Sequence, residues 1–298
     1  MPSNQKCIND LFYKAVSEGH VAVMNFFLGH KAEVKSCHLR LALKHGKHEV
    51  IKILVEHGAD INLSYRTYKY LIIPPIVDAA FDPISAFDNI KLFLEKGANV
   101  NSCDSDGATA LYIAVQENNA PVVKLLLRYG ADVNKCLYPN ASQYSPLIRA
   151  TEVASIEIIN DLIEKGANVN HTCRTGQTPL HFAVEYNRID VAKLLLEKGT
   201  NIDHRYKNKT PLDIAIQNKN DEMIKLLCKQ KLFYFIFLNK KFSKNNLYNL
   251  RLFDSCYIKA AKSLLKMING EINAVPDQHH EALNHEELQP IYRTLLKK

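Results

Sequence analysis

The segment Gly58-Ala59-Asp60-Ile61-Asn62 returns four more times in nearly the same form, and this recurrence constrains the fold more than any other feature of the chain. It reappears as Gly97-Ala98-Asn99-Val100-Asn101, Gly130-Ala131-Asp132-Val133-Asn134, Gly166-Ala167-Asn168-Val169-Asn170 and Gly199-Thr200-Asn201-Ile202-Asp203, at intervals of 39, 33, 36 and 33 residues. Each copy follows an apolar pair or triplet such as Leu125-Leu126-Leu127 or Leu194-Leu195-Leu196. A unit of that length cannot bury its own apolar face, so such units must stack, each against its neighbours.

Alanines precede these glycines at a constant offset of 16 residues: Ala42, Ala114, Ala150 and Ala183. Insertions therefore fall outside the helical part of the unit. The same offset links Ala15 to Lys31 and Ala215 to Lys231, adding a first and a last unit in which lysine stands where glycine is expected. Lysine is a poor substitute in a left-handed backbone conformation, so both of those helix ends are expected to be built differently.

Within a unit the residues spell two antiparallel helices and a turn. In Thr178-Pro179-Leu180-His181-Phe182-Ala183 the threonine suits an N-cap, and the proline suits the first helical position, where no amide hydrogen is needed. Thr210-Pro211-Leu212 and Ser145-Pro146-Leu147 repeat the device. A second helix is predicted over 190–198, with Val191, Leu194 and Leu195 on one face. A left-handed glycine ends it, and Val or Ile with Asn or Asp leads through a turn to the next unit. On this reading the turn alone accounts for the asparagines.

The runs TPLHFA, TPLDIA, TALYIA and SPLIRA, each followed at a fixed distance by GAxVN or a close variant, resemble the ankyrin-repeat family. The resemblance covers seven units between Gln5 and Lys231. The second unit lacks the TPLH start (Cys37-His38-Leu39-Arg40), and the third is irregular over Pro74–Ala80. The expected fold is all-α: an ankyrin-repeat solenoid over 5–231, followed by a small helical, basic and aromatic-rich C-terminal module over 232–298. The resemblance implies a protein-binding scaffold without catalysis of its own. Asp60-Ile61-Asn62 and Asp132-Val133-Asn134 are also similar to ankyrin asparagines modified by an asparaginyl hydroxylase.

Charge does not redirect this reading. The formal net charge is +7, but Lys225–Lys266 carries ten bases against Asp254 alone, a local +9 that leaves the remaining residues at −2. A nucleic-acid partner is therefore not expected for the repeats. The basic segment, with Phe242, Tyr248, Phe253 and Tyr257 interleaved, suits either contact with an acidic protein or anionic membrane surface, or a solvated face over an aromatic core. The polar start and the lack of a run of about 18 apolar residues lead us to expect a soluble, cytoplasmic monomer, in a host-cell cytosol if the chain is exported. Seven dispersed cysteines without a CxxC pair fit a reducing compartment.

Candidate contact residues are those not consumed by caps, core or turns. In the ankyrin pattern they lie on the turn and at the exposed end of the first helix. Matched to this chain they are Ser105, Asp106, Gln116 and Glu117; Tyr144 and Glu152; Arg174, Thr175, Gln177, Glu185 and Tyr186; and Tyr206, Lys207 and Lys209. Tyrosine and arginine are favoured interface anchors, which singles out Tyr144, Arg174, Tyr186 and Tyr206. The inserted run Tyr65-Arg66-Thr67-Tyr68-Lys69-Tyr70 either grips a partner, through Tyr68 and Tyr70, or covers the irregular third unit.

No catalytic residue, cofactor or metal ligand is assigned. Cys103, Cys136 and Cys173 follow successive turns, but stacked units stand roughly 10 Å apart, beyond disulfide reach. His280 and His285 are five apart, which places them on different helix faces. The tail, with Glu281, Glu286 and Glu287 ahead of a basic end, resembles the acidic export signals of bacterial effectors. The expected function is a non-catalytic adaptor that binds a protein through the concave face and turns. The alternative is a host-directed effector enzyme with chemistry in 232–298 and repeats that recruit the substrate.

Overall fold

A computed structural model describes residues 2–66, 72–138 and 142–238. The chain divides into two compact units, Met1–Ile214 and Ala215–Lys298. The helices follow one another in pairs: α1 Pro2–Glu18 with α2 Val21–Gly29, α3 Ser36–Lys44 with α4 His48–Glu56, α5 Pro75–Ala79 with α6 Ala86–Glu95, α7 Ala110–Gln116 with α8 Ala120–Arg128, α9 Pro146–Val153 with α10 Ile156–Glu164, and α11 Pro179–Glu185 with α12 Ile189–Glu197. The division falls inside α13 Pro211–Gln217, and α14 Asp221–Leu238 lies in the second unit. A two-stranded antiparallel ribbon, β1 Tyr65–Arg66 and β2 Ile72–Ile73, is the one addition to this helical pattern among the described residues.

Local chemistry starts and stops several of these helices. Thr109 Oγ1 accepts the amide of Tyr112 at 3.2 Å, and Ser145 Oγ accepts that of Ile148 at 3.3 Å, so both satisfy a first-turn donor that has no partner within its helix. In α11 the histidine closes the cap: the Thr178 amide donates to His181 Nδ1 at 3.2 Å, and the Thr178 hydroxyl lies 2.7 Å from the same nitrogen. His38 accepts the Lys35 amide at 3.0 Å in the same way at the start of α3, although that unit lacks the threonine and proline. At the end of α8, Gly130 has φ +79°, its amide donates to Leu127 O, and Ala131 donates to Leu126 O. This is the left-handed helix stop expected of glycine.

The two lysine-ended units part company. Lys31 adopts φ +63° and reproduces the glycine stop, with its amide on Leu28 O and that of Ala32 on Phe27 O. The expectation of a different build there is incorrect. Burying Ala32 and ordering the turn outweigh a left-handed cost of roughly 1–2 kcal/mol. Lys231 ends nothing, because α14 continues through it to Leu238.

Packing follows the alanine register. First helices line up α1–α3–α5–α7–α9–α11 and second helices α4–α6–α8–α10–α12, each against its counterpart in the next pair. Ala42, Ala114, Ala150 and Ala183 are fully buried between them, with Leu39, Leu54, Phe93, Leu111, Leu126 and Leu147 filling the layers.

The asparagines do more than turn the chain. The first polar residue of each turn accepts the amide two residues on, as Asp132 Oδ1 does from Asn134 at 2.9 Å. The second reaches the following unit: Asn62 Oδ1 accepts the Asn99 amide at 3.0 Å, Asn101 that of Asp132 at 2.8 Å, Asn134 that of Asn168 at 2.9 Å, and Asn170 that of Asn201 at 2.6 Å. Asn134 Nδ2 also donates to Gly166 O at 3.0 Å. The reading that the turn alone explains these residues is therefore too narrow, because their amides tie successive units together.

Candidate functional site

The preceding turns and the first helices of the fourth to seventh units carry the predicted contact residues. The turns are stapled tip to tip: Ser105 N donates to Ile72 O at 3.0 Å, Tyr138 N to Asp106 O at 2.9 Å, and Arg174 N to Ser142 O at 3.2 Å. This fixes the backbones that present Ser105, Asp106 and Arg174, whose side chains are exposed. Lys209 and Tyr206 exchange both backbone hydrogen bonds at 2.9 Å, which closes the last of these turns.

Tyr144, Glu152, Glu185, Tyr186 and Lys207 fall into one connected cluster. Arg149 Nη1 donates to Glu152 Oε2 at 2.6 Å from one turn earlier on α9, and Tyr186, one residue past α11, feels the charge of the same glutamate. The Glu152 charge is the first cause of a raised Tyr186 pKa, followed by burial and Glu185. Tyr144 packs edge-on against Phe182 with ring centres 5.2 Å apart, and burial, aided by Glu152, pushes its pKa up to about 12. Burial takes the pKa of Tyr112 to about 12 as well, with the charges of Arg149 and Glu152 acting on it in opposite senses.

Gln177 is not a free contact residue. It is buried, and its Nε2 donates to both Glu185 oxygens at 2.9 Å while its Oε1 accepts from the Thr175 hydroxyl at 2.8 Å. Its work is to hold Glu185, whose carboxyl is shifted upward by burial, with the Gln177 bonds and the Lys207 charge opposing that shift. Tyr144 is half-buried, so of the tyrosines singled out Tyr186, 54% exposed, offers the most surface. Lys207 Nζ lies 5.0 Å from the centre of the Tyr206 ring. Gln116 and Glu117 bond to each other at 3.2 Å.

Sequence reasoning passed over Arg149 and Tyr112. Arg149 stands in the Ser145-Pro146-Leu147-Ile148-Arg149-Ala150 run three residues before Glu152, a spacing that puts both on one helix face and was the available signal. Tyr68 and Tyr70 lie outside the described residues, as do His280, His285 and the C-terminal module after Leu238. The described part of the insertion bonds to the second and the third units. Tyr65 is buried with its hydroxyl on Asp78 Oδ2 at 2.5 Å, and Arg40 Nη1 donates to Arg66 O at 2.7 Å.

One pair invites a catalytic reading. Cys136 Sγ lies 3.3 Å from His171 Nε2. However, the thiol donates to Asn134 O at 3.2 Å, and burial raises its pKa where a nucleophile needs it lowered. His171 Nε2 also lies 3.2 Å from Gln143 O, which needs the proton on that nitrogen and denies the thiol a base. The six described cysteines are all free, and no group of three or more His, Cys, Asp or Glu side chains among the described residues is placed to hold a metal. No described helix is long and apolar enough to cross a membrane.

The paired helices, the left-handed stops and the interlocking turns define a helical repeat protein. Models of ankyrin repeats match residues 78–173 and 147–236 in three-copy form and residues 38–66 as a single repeat, and the chain belongs to the ankyrin-repeat family. Among curated proteins none matches it. Ankyrin repeats generally mediate protein–protein interaction, and proteins built from them are typically non-enzymatic scaffolds.

Proposed function

We propose that this chain is a non-catalytic adaptor that recruits a protein partner through the first-helix face and turns of its fourth to seventh units. One observation carries the reading. Glu152 and Glu185 are each held by a neighbouring side chain, Arg149 for the first and Gln177 for the second, so a polar surface beside the exposed Tyr186 is set before any partner arrives. Groups ordered in advance lose less entropy on binding, and tyrosine carries a large share of interface energy in such settings. Ser105, Asp106, Arg174, Tyr206, Lys207 and Lys209 form the rim.

The test is affinity capture with the full chain, the partner being identified by mass spectrometry and then titrated in purified form. Replacing Tyr186 by alanine together with Glu185 by lysine should weaken that partner by at least about 30-fold, the equivalent of roughly 2 kcal/mol. Tyr186→Ala alone, which leaves the Gln177–Glu185 bonds in place, should weaken the partner in the same direction with the thermal melt unchanged. A partner bound with equal affinity by the parent and the double variant refutes this face.

A further inference from the structure

The turn tips of the sixth and seventh units carry a positive charge that the fourth and fifth tips lack. Arg174 stands on the sixth and Arg205, Lys207 and Lys209 on the seventh, all exposed, and Asp203 is the one acid within 170–178 and 203–209. The fourth tip, 101–109, holds Asp104 and Asp106 and no base, and the single base of the fifth, Lys135, donates from Nζ to Asn101 O at 2.8 Å. The two basic tips meet, with His204 Nε2 lying 3.1 Å from Gly176 O. Within the seventh, Arg205 Nη1 donates to Asn208 O at 3.0 Å, which ties that guanidinium to its own hairpin.

The backbone of the seventh tip departs from the pattern as well. The fourth and sixth tips turn on Gly107 at φ +87° and Gly176 at φ +91°, whereas the seventh turns on Lys207 at φ +49° and Asn208 at φ +61°. The left-handed region is costly for lysine. At Lys31 the burial of Ala32 offsets that cost, but Lys207 and Asn208 are both exposed, and no burial of theirs does so. Strain kept at an exposed position, with a cation at its apex, points to a use outside the fold.

We propose that these two tips bind a short acidic segment of the protein partner, which rests on the adaptor reading above and gives that partner a chemistry. Complementary charge draws carboxylates to Arg174, Arg205, Lys207 and Lys209 and turns a basic segment away. Neighbouring units stand roughly 10 Å apart, so with their side chains the two tips span on the order of 20 Å. An extended chain covers that length with about six residues. A long polyanion such as a nucleic acid strand does not fit, because beyond the tips it meets Asp104 and Asp106 on the fourth turn and Glu117 at the end of α7. Glu185 is the acid whose charge reaches Lys207, and Gln177 engages both of its oxygens at 2.9 Å, which leaves the exposed lysine open to an incoming carboxylate.

The probe is a synthetic peptide of five consecutive glutamates flanked by Gly-Ser, titrated into the full ¹⁵N-labelled chain at about 50 mM salt, where surface charge is weakly screened. The amides of Thr175, Gly176, Lys207 and Asn208 should shift, with a dissociation constant between about 10 µM and 1 mM. Lys207→Glu should weaken the peptide at least about threefold, and so should Arg174→Glu, made on the other tip in case the first variant misfolds. Lys52→Glu makes the same charge change on α4 and should leave the affinity within about twofold. A peptide that shifts only amides within 225–266 overturns the proposal, as do tip variants that bind like the parent or a Lys52→Glu loss equal to theirs. An eight-nucleotide oligothymidylate that moves the same amides at lower concentration overturns it in favour of nucleic acid. A captured partner weakened by Tyr186→Ala but not by Lys207→Glu keeps the adaptor reading and removes the acidic segment. One weakened by Lys207→Glu but not by the Tyr186 and Glu185 substitutions does the reverse.

Discussion

Replacing Asn134 by alanine removes both bonds that tie the fourth unit's turn to the fifth: the acceptor of the Asn168 amide at 2.9 Å and the donor to Gly166 O at 3.0 Å. Each such bond contributes about 0.5–1.5 kcal/mol net. Because Asn134 is exposed, water compensates part of the loss, and the expected cost is about 1–2 kcal/mol. Aspartate at the same position keeps an acceptor for the Asn168 amide but loses the donor to Gly166. Amide hydrogen exchange therefore separates the two variants. The Asn168 amide should exchange at least about fivefold faster in Asn134→Ala, as expected for an opening cheaper by about 1 kcal/mol, and stay protected in Asn134→Asp. Urea denaturation should show a lowered midpoint for the alanine variant. Unchanged protection of Asn168 in Asn134→Ala would refute the claim that this side chain couples the units, as would equal loss of protection in both variants.

Two further outcomes follow from the same structure. Gly107 sits at φ +87°, and an added Cβ would stand 2.7 Å from the Tyr138 backbone nitrogen, so Gly107→Ala must move one turn tip off the next. It should cost about 2 kcal/mol or more in thermal denaturation, and a loss below about 0.5 kcal/mol would show that the tips are not in fixed contact. His181 is fully buried, with the rings of His204 and Tyr206 at 5.7 and 6.1 Å. Burial first, then His204, takes its pKa from 6.5 down to about 4, although backbone groups of Lys209 and His204 favour the protonated ring somewhat. Nε2 has no partner in good hydrogen-bond geometry, so burial prevails. The folded chain thus holds the ring neutral while the unfolded chain protonates it below 6.5. Its contribution is complete above that pH and is lost as pH falls toward about 4, a change on the order of 2–3 kcal/mol. His181→Gln should flatten the stability–pH slope in that window by close to one proton, and an unaltered slope would assign the acid sensitivity elsewhere.

The helices and their ends were legible in the amino-acid sequence because the signals act over a few residues. Thr109, Ser145 and Thr178 precede helices since their side chains or amides can close a first turn locally, and Gly130 ends one since its backbone admits the left-handed region. The 16-residue interval from Ala114 to Gly130 specifies a whole unit for the same reason. Placement of the candidate site was half legible: Tyr186 and Glu185 could be assigned to the exposed end of α11, but whether Gln177 faces solvent or grips Glu185, eight residues away, is a matter of side-chain packing.

Tertiary structure alone decided whatever depends on a neighbour some thirty residues distant. Asn168 and Asn170 stand two residues apart in one turn, yet Asn170 Oδ1 reaches the Asn201 amide of the next turn while Asn168 Oδ1 closes its own, since reach is set by the stacking distance. Val23 and Val122 hold the same place in their units and differ in burial through what lies against them. Lys31 takes the glycine conformation because the packing of Ala32 outweighs a local preference. Short-range capping and periodicity determined that units exist and how each begins and ends. Long-range contact determined which side chains remain open for a partner, because burial belongs to the pair of surfaces and not to either segment alone.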